Sequence, residues 1–390
     1  MNEASLVEGG EREGSARRFA RECVARYYSS VSLAPSELAR REFGFGFAKK
    51  IDYRHKAFSS QRELSEFLRR EAPFFVSYSA ALYDLPAAKP MEKKGFKGAD
   101  LVFDLDNSYL HEKHEHNPLL CTYCLNRVRD DALALVERFL LGDFGFSRGE
   151  VSVNYSGSKG YHVHVCGEVA RQLSSEARKQ LLSFISAKGI DFSRVLRRER
   201  FGRGSNAFVL RGPSASSRGW AKKLFEAASL FVERADLEHF KAEGVPPRKA
   251  SALIENRGRV LEKMREGNWD AVKGLELVWE KLFRKAVALY SVQVDEAVTF
   301  DLARLIRLED SIHGDTGFVA RKVALQELAG FKPWEDALSA RRGETAWVKP
   351  LDDLAFELGG EKYELKKGRI CEVSEAAALF LACKKKVEVK

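Results

Sequence analysis

Apolar and polar positions along this chain repeat with two different periods, and the changes of period divide it. In Gly98-Ala-Asp-Leu-Val-Phe-Asp-Leu-Asp106, the apolar Leu101, Phe103 and Leu105 interleave with Val102, Asp104 and Asp106. A two-residue period predicts a β-strand with the two carboxylates together on one face. The same alternation in Glu150–Tyr155 and Tyr161–Val165 flanks Ser156-Gly-Ser-Lys-Gly160. It predicts a strand, a glycine turn and a second strand that puts His162 and His164 on one face. Alternating Gly and Phe over Arg40–Phe47 predicts a tight extended segment, and Phe74–Tyr78 and Asn206–Arg211 read as strands. Strand character returns over Val292–Phe300, with Asp295 on the face of Gln293, Ala297 and Thr299. A helical period covers Ala16–Ser30, Ser174–Lys188 and the segments near 129–141 and 319–328. A further helix follows the capping box Ser60-Gln-Arg-Glu63. Across Trp220–Leu237, Ala252–Arg265 and Trp269–Leu289 it is sustained with few strand signals, which predicts a helical subdomain over 216–289.

Composition changes this picture modestly. A chain of 390 residues has room for two or three domains, and 45% hydrophobic with 31% charged residues describes a globular protein. A net charge of +9 favours anionic partners, nucleic acid first and a membrane surface second. Six cysteines scattered as Cys23, Cys121, Cys124, Cys166, Cys371 and Cys383 exclude a secreted disulfide framework. The polar start at 1–15 reads as flexible and lacks the order of a signal peptide, and no apolar run reaches the roughly 20 residues of a membrane span. An intracellular, soluble protein with no membrane partner is expected.

The candidate chemistry begins at Asp104 and Asp106. An isolated Asp-x-Asp is more often a solvated acidic face, but two neighbouring acids repel, and a hard divalent cation compensates them. Asp295 offers a third carboxylate. Three such groups can hold two divalent ions roughly 4 Å apart, which activate an attacking oxygen and stabilise a leaving group. Lys159, Arg307 and the histidines supply cations and donors for a triphosphate, and the glycines around Ser156 and Lys159 let backbone N–H groups approach phosphate. The turn is not a Walker loop, whose spacing is absent. Cys121-Thr-Tyr-Cys124 follows His111, His114 and His116, so two thiolates and two imidazoles can close a tetrahedral zinc site. His116 and His111 are the preferred partners, and His114 is the spare.

In combination these segments resemble the catalytic small subunit of archaeal and eukaryotic-type DNA primases, the archaeal form most closely. The resemblance is carried by Arg41-Glu-Phe-Gly-Phe45, Tyr78-Ser-Ala-Ala-Leu-Tyr83, Gly98–Asp106, Ser156-Gly-Ser-Lys-Gly-Tyr-His162, Val294-Asp-Glu-Ala-Val-Thr299, Arg304-Leu-Ile-Arg307 and Ser311-Ile-His-Gly314. It implies an α+β (mixed α/β) fold: a primase-type catalytic core over 16–215 and 290–390, with a small zinc knob inserted near 107–128. It also implies a DNA-directed RNA polymerase, a nucleotidyltransferase making short RNA primers on a single-stranded DNA template from ribonucleoside triphosphates. Asp104, Asp106 and Asp295 match the metal-binding carboxylates, taking Mg²⁺ or Mn²⁺. Ser156, Lys159 and His162 match the nucleotide-binding turn, and Arg307 and His313 match the triphosphate contacts. A large primase subunit and the replication machinery are the implied partners, in the cytoplasm of an archaeal-type cell at the nucleoid. Three departures stand out. The family's zinc knob usually carries three Cys and one His. Its His-Gly-Lys-Thr-Gly has Asp315 in place of Lys here. Its Arg-Gly in the turn is Lys159-Gly160, which keeps the charge but loses the bidentate fork. A repair-type polymerase of the same superfamily would share this site, whereas a zinc-bearing protein that only binds nucleic acid would have no use for the acids.

Overall fold

The strand at Leu101–Asp106 forms because Leu101, Phe103 and Leu105 are almost wholly buried on one side, while Asp104 and Asp106 reach the other, more open side. The computed structural model describes residues 14–106, 116–200, 208–341 and 343–390. In chain order the strands are β1 (Phe43–Gly46), β2 (Tyr53–Lys56), β3 (Phe75–Ser79), β4 (Ala81–Tyr83), β5 (Phe96–Ala99), β6 (Leu101–Asp106), β7 (Val151–Tyr155), β8 (Gly160–Val165), β9 (Arg197–Arg200), β10 (Phe208–Arg211), β11 (Leu305–Arg307) and β12 (Lys322–Val323), followed by five short strands after Thr345. With the helices between them, they make the expected α+β fold.

Two four-stranded antiparallel sheets frame the site. One has the order β12-β7-β8-β6, with Asp104 opposite His162, Asp106 opposite Gly160, and Asn154 opposite His162. Its apolar face carries Leu101, Phe103, Leu105, Val153, Tyr155, Tyr161, Val163 and Val165. The helix Thr122–Ala134 buries Cys124, Leu125, Val128 and Ala132. The other sheet has the order β11-β3-β1-β2 and places Arg307 beside Ser77.

Three arginines, Arg41 and Arg178 buried and Arg171 half-buried, fix the start of β6. Arg41 pairs with the Asp100 carboxylate and donates to Ser79 O at 2.8 Å, while Arg171 Nε reaches the other Asp100 oxygen at 2.7 Å. Arg178 donates to Asp100 O at 3.0 Å and Ala99 O at 2.6 Å. Burial alone would raise the Asp100 pKa, but Arg41 and Arg171 hold it below the ordinary value.

The described residues divide into two compact units. One comprises the chain up to Val136, Phe146–Lys179 and everything from Val294 onward; the other comprises Glu137–Gly145 and Gln180–Gln293. The second has its own core around Leu224, Phe240, Trp269, Trp279 and Phe283, built from five helices between Gly219 and Tyr290 and the β9–β10 hairpin. No described helix is long and apolar enough to cross a membrane.

Two expectations about local structure change. Val292–Phe300 is not a strand: Asp295 caps a short helix over Glu296–Phe300, its Oδ1 accepting from Ala297 N at 3.0 Å. Asp followed by Glu is a helix-start signal that the alternating valines masked. Over 319–328 no helix forms. Phe318 and Val319 instead form isolated bridges to Leu338 and Ile312, and Lys322–Val323 forms β12, because Phe318, Val319 and Ala320 are all buried and not along one stripe.

Candidate active site

Asp104 is the centre of the site. Its backbone carbonyl accepts from Asp295 N at 2.8 Å, so one hydrogen bond brings the third acid to the strand holding the first two. Burial, then repulsion from Asp106 and Asp295, pushes the Asp104 carboxyl up to about 7. Arg304 and Lys50 oppose that shift, and Arg304 stands 3.9 Å from the Asp295 carboxylate. The acids therefore share one field. Among the described residues, the one group of three candidate ligands whose atoms all lie within 4.8 Å of one another is His116, Cys121 and Cys124, so the three carboxylates do not form so tight a group.

His162 stands across the strand pair with Nε2 3.7 Å from Asp104 Oδ1. Its neighbours define its proton. The Asn154 side-chain nitrogen donates to Tyr155 O at 3.0 Å, which fixes the orientation of the amide. The same nitrogen lies 3.4 Å from His162 Nδ1, and Asn154 Oδ1 lies 3.1 Å from His164 Nε2. His162 Nδ1 is thus an acceptor, and its hydrogen sits on Nε2, aimed at Asp104. Burial first, then His164 and Arg307, push the His162 pKa well down, so the imidazole is neutral. His164 continues the chain toward Glu309, 3.9 Å away.

The phosphate-type turn is built tightly. Ser156 N donates to Gly160 O at 2.8 Å, and Gly160 N donates to Ser156 Oγ at 3.2 Å. A Cβ on Gly160 would lie 1.7 Å from Leu105 O, so only glycine lets β8 run this close to β6. Gly157 has φ +85°, and a Cβ there would meet His313 Cβ at 2.6 Å. Thr316 Oγ1 donates to Gly157 O, clasping the loop 311–317 onto the turn. His313 is buried against Phe75, its Nδ1 accepting from Asp315 N at 3.2 Å. Arg307 lies over Phe75 at 5.1 Å, is pushed down to about 10 by burial, and has one buried terminal nitrogen with no hydrogen-bond partner among the described residues. Its field reaches both Asp104 and Asp315. Lys159 is exposed at the tip of the turn.

The knob supplies three of the expected zinc ligands together. The distance from His116 Nδ1 to Cys124 Sγ is 3.6 Å, close to the roughly 3.5 Å edge of a zinc tetrahedron with these bond lengths. Cys121 is the N-cap of the helix that begins at Thr122, where the helix dipole favours a thiolate. Without a cation, burial and then Cys121 hold the Cys124 thiol up at about 12, and a metal would reverse that. The soft and imidazole donors fit zinc. His111 and His114 lie outside the described residues.

Sequence reasoning missed Asn154, Lys50 and Lys384 and gave no role to Arg304. Lys50 reaches Asp104 and His313 electrostatically from the turn after β1. A Cβ on Gly46 would lie 1.9 Å from Lys49 O, so the Gly-Phe alternation was the available signal for a turn this tight.

Residues 103–325 match the family described as DNA primase small subunit. A protein from Methanothrix thermoacetophila named DNA primase small subunit PriS is 31% identical over 97% of this chain and all of its own length. This chain belongs to the DNA primase small subunit family. Proteins with the same name from Methanoregula boonei and Haloarcula marismortui are 32% and 29% identical, covering 95% and 96% of this chain and 98% and 99% of their own.

Proposed function

We propose that this chain is a primase catalytic subunit that makes short RNA primers on single-stranded DNA from ribonucleoside triphosphates. It would work beside a large subunit and the replication machinery, in the cytoplasm at the nucleoid of an archaeal-type cell. The observation that carries this reading is the convergence of Asp104, Asp106 and Asp295: burial first, then repulsion from the other two acids, pushes the Asp104 carboxyl up to about 7. Proteins rarely keep such repulsion without a cation to relieve it. The three side chains offer only hard oxygen donors, which fit Mg²⁺ or Mn²⁺. Bound there, the ions would lower the pKa of a 3′-hydroxyl and neutralise charge at the α-phosphate.

The rest falls to the chain itself. Neutral His162 presents Nε2–H beside Asp104 and can donate to a phosphate oxygen without a proton leaving the site. Arg307 keeps an unpartnered N–H for the same ligand, and its buried position makes that charge-assisted bond strong. Ser156 holds the turn shape through Gly160 and acts as a donor, not a nucleophile. Lys159 adds charge at the turn's tip. His116, Cys121 and Cys124, with His111 or His114, would hold structural zinc.

The test is template-dependent synthesis from ribonucleotides on unprimed single-stranded DNA, with and without a large subunit. Wild type should be active with Mg²⁺ or Mn²⁺, and Asp106→Ala and Asp295→Ala should be inactive with unchanged circular dichroism. A well-folded Asp104→Ala/Asp106→Ala double variant with full activity would remove the basis of the reading.

A further inference from the structure

Beside Lys159 of the turn lies a further cation, Lys384, that the proposed mechanism does not use. A cavity of about 150 Å³ is lined by Ser158 and Lys159 of the turn and by Lys384, by His116 and Cys121 of the candidate zinc cluster, and by apolar side chains including Phe380. Several waters would fit such a space, at roughly 30 Å³ each. Lys384 caps the C-terminal end of the helix Glu375–Cys383 and is half-buried, its ammonium 5.7 Å from the Phe380 ring. Neither the Lys159 nor the Lys384 ammonium makes an ion pair or hydrogen bond with another described residue. The Lys384 ammonium feels Asp315 and Lys159, and His313 feels Lys384. A line of fields therefore runs from Asp104 through Arg307 to Asp315 and on to the two lysines.

Two ammonium groups, neither with an ion-pair partner among the described residues, line one cavity, exposed Lys159 beside half-buried Lys384, and an anion between them would relieve their repulsion. The exposed Asp315 carboxylate is close enough to be felt, yet it pairs with neither lysine within 4.0 Å. The hydroxyls of Ser158 and Thr316 belong to the same lining, which suits an oxygen-rich ligand. We infer that Lys384, with Lys159, forms a phosphate subsite that takes the terminal phosphate of the nucleoside triphosphate. This rests on the nucleotide site proposed above. The triphosphate would extend from the carboxylates past His162 and Arg307, and its far end would reach the cavity. The C-terminal helix would thus contribute directly to nucleotide binding.

The test is equilibrium binding of ATP, ADP, AMP and a single-stranded DNA oligonucleotide, each with Mg²⁺, to the full chain. Lys384→Gln should weaken ATP about tenfold, as expected for one charge-assisted contact, and leave AMP and the oligonucleotide unchanged. Lys384→Arg, which keeps a cation on the same lining, should retain most of the ATP affinity. A loss in Lys384→Gln caused only by disturbed packing would appear in Lys384→Arg as well. Unchanged ATP affinity in Lys384→Gln, with wild type binding ATP, overturns the inference. So does an equal loss for AMP, or a loss confined to the oligonucleotide, which would assign the cavity to a backbone phosphate. Wild type that does not bind ATP at all overturns the nucleotide site itself.

Discussion

Replacing Asp104 by Asn should stabilise the protein while destroying its activity, and the size of the gain follows from the site. In the fold the Asp104 carboxyl titrates at about 7, against an ordinary value of 3.8. Below about pH 4 the group is protonated in both folded and unfolded chains, and it costs nothing. From pH 4 to 7 the unfolded chain releases its proton while the folded one keeps it, so stability falls as pH rises. Above 7 the penalty is complete. Three pH units correspond to about 4 kcal/mol, at about 1.4 kcal/mol each. The side chain is 27% exposed, so solvent screens part of this. About 2 to 4 kcal/mol remains. Asp104→Asn in metal-free buffer at pH 8 should therefore melt about 4 to 8 °C higher than wild type, at about 2 °C per kcal/mol for a unit of this size. At pH 4 the two should coincide. Divalent cations should raise the wild-type melting temperature more than the variant's, since binding to the folded state stabilises by mass action. Synthesis should fall about a thousandfold or more, as expected for loss of a metal-anchoring carboxylate. The measurement is scanning calorimetry across pH, with chelator or Mn²⁺. A variant less stable than wild type at pH 8, or equally stabilised at pH 4 and pH 8, would refute the account of a carboxylate penalised by burial and by the neighbouring acids.

Other consequences are open to direct measurement. Asn154→Leu removes the bridge between His162 and His164, and should cost about 1 to 3 kcal/mol in denaturant unfolding and raise the nucleotide KM; an unchanged KM would mean that His162 needs no orienting partner. Purified wild type should contain one zinc by elemental analysis, and Cys121→Ser or Cys124→Ser should lose it together with several degrees of melting temperature. Gly160→Ala forces a Cβ against Leu105 O and should cost about 3 kcal/mol or more, or prevent folding. Gly258→Ala, in the helix Arg257–Arg265 with nothing within 4 Å of the added carbon, should be neutral or stabilising by up to about 1 kcal/mol.

The sequence spoke most clearly where one period decided the structure. Leu101, Phe103 and Leu105 against Asp104 and Asp106 define β6 and its two faces, and Val163 and Val165 against His162 and His164 define β8 in the same way. Asp295 was legible as an acid near the others only through resemblance. Its local structure was not legible, because a five-residue capped helix and a strand share the pattern Val-Asp-Glu-Ala-Val. Asn154 was hidden because a buried polar residue on a strand looks like an ordinary outward position until its partners across the sheet are known. Lys384 lies at the far end of the chain from the turn it approaches, and no local spacing marks that meeting. No local pattern marks Arg41, Arg171 and Arg178 as the residues that hold Asp100 and the carbonyls at the head of β6.

The hydrogen bond from Asp295 N to Asp104 O also bears on when the site comes into existence during synthesis. It closes a loop of roughly 190 residues, and closing so long a loop costs about 4 to 5 kcal/mol of chain entropy. A ribosome-bound chain that has emerged only as far as residue 290 carries two of the three acids and none of Arg304, Arg307 or His313. Long-range contacts of this kind form late and slowly. A truncated or unfinished chain would display Asp104 and Asp106 without the rest of the apparatus, so the ability to handle nucleotides would arrive late in synthesis, once the final quarter of the polypeptide has folded back onto its first third.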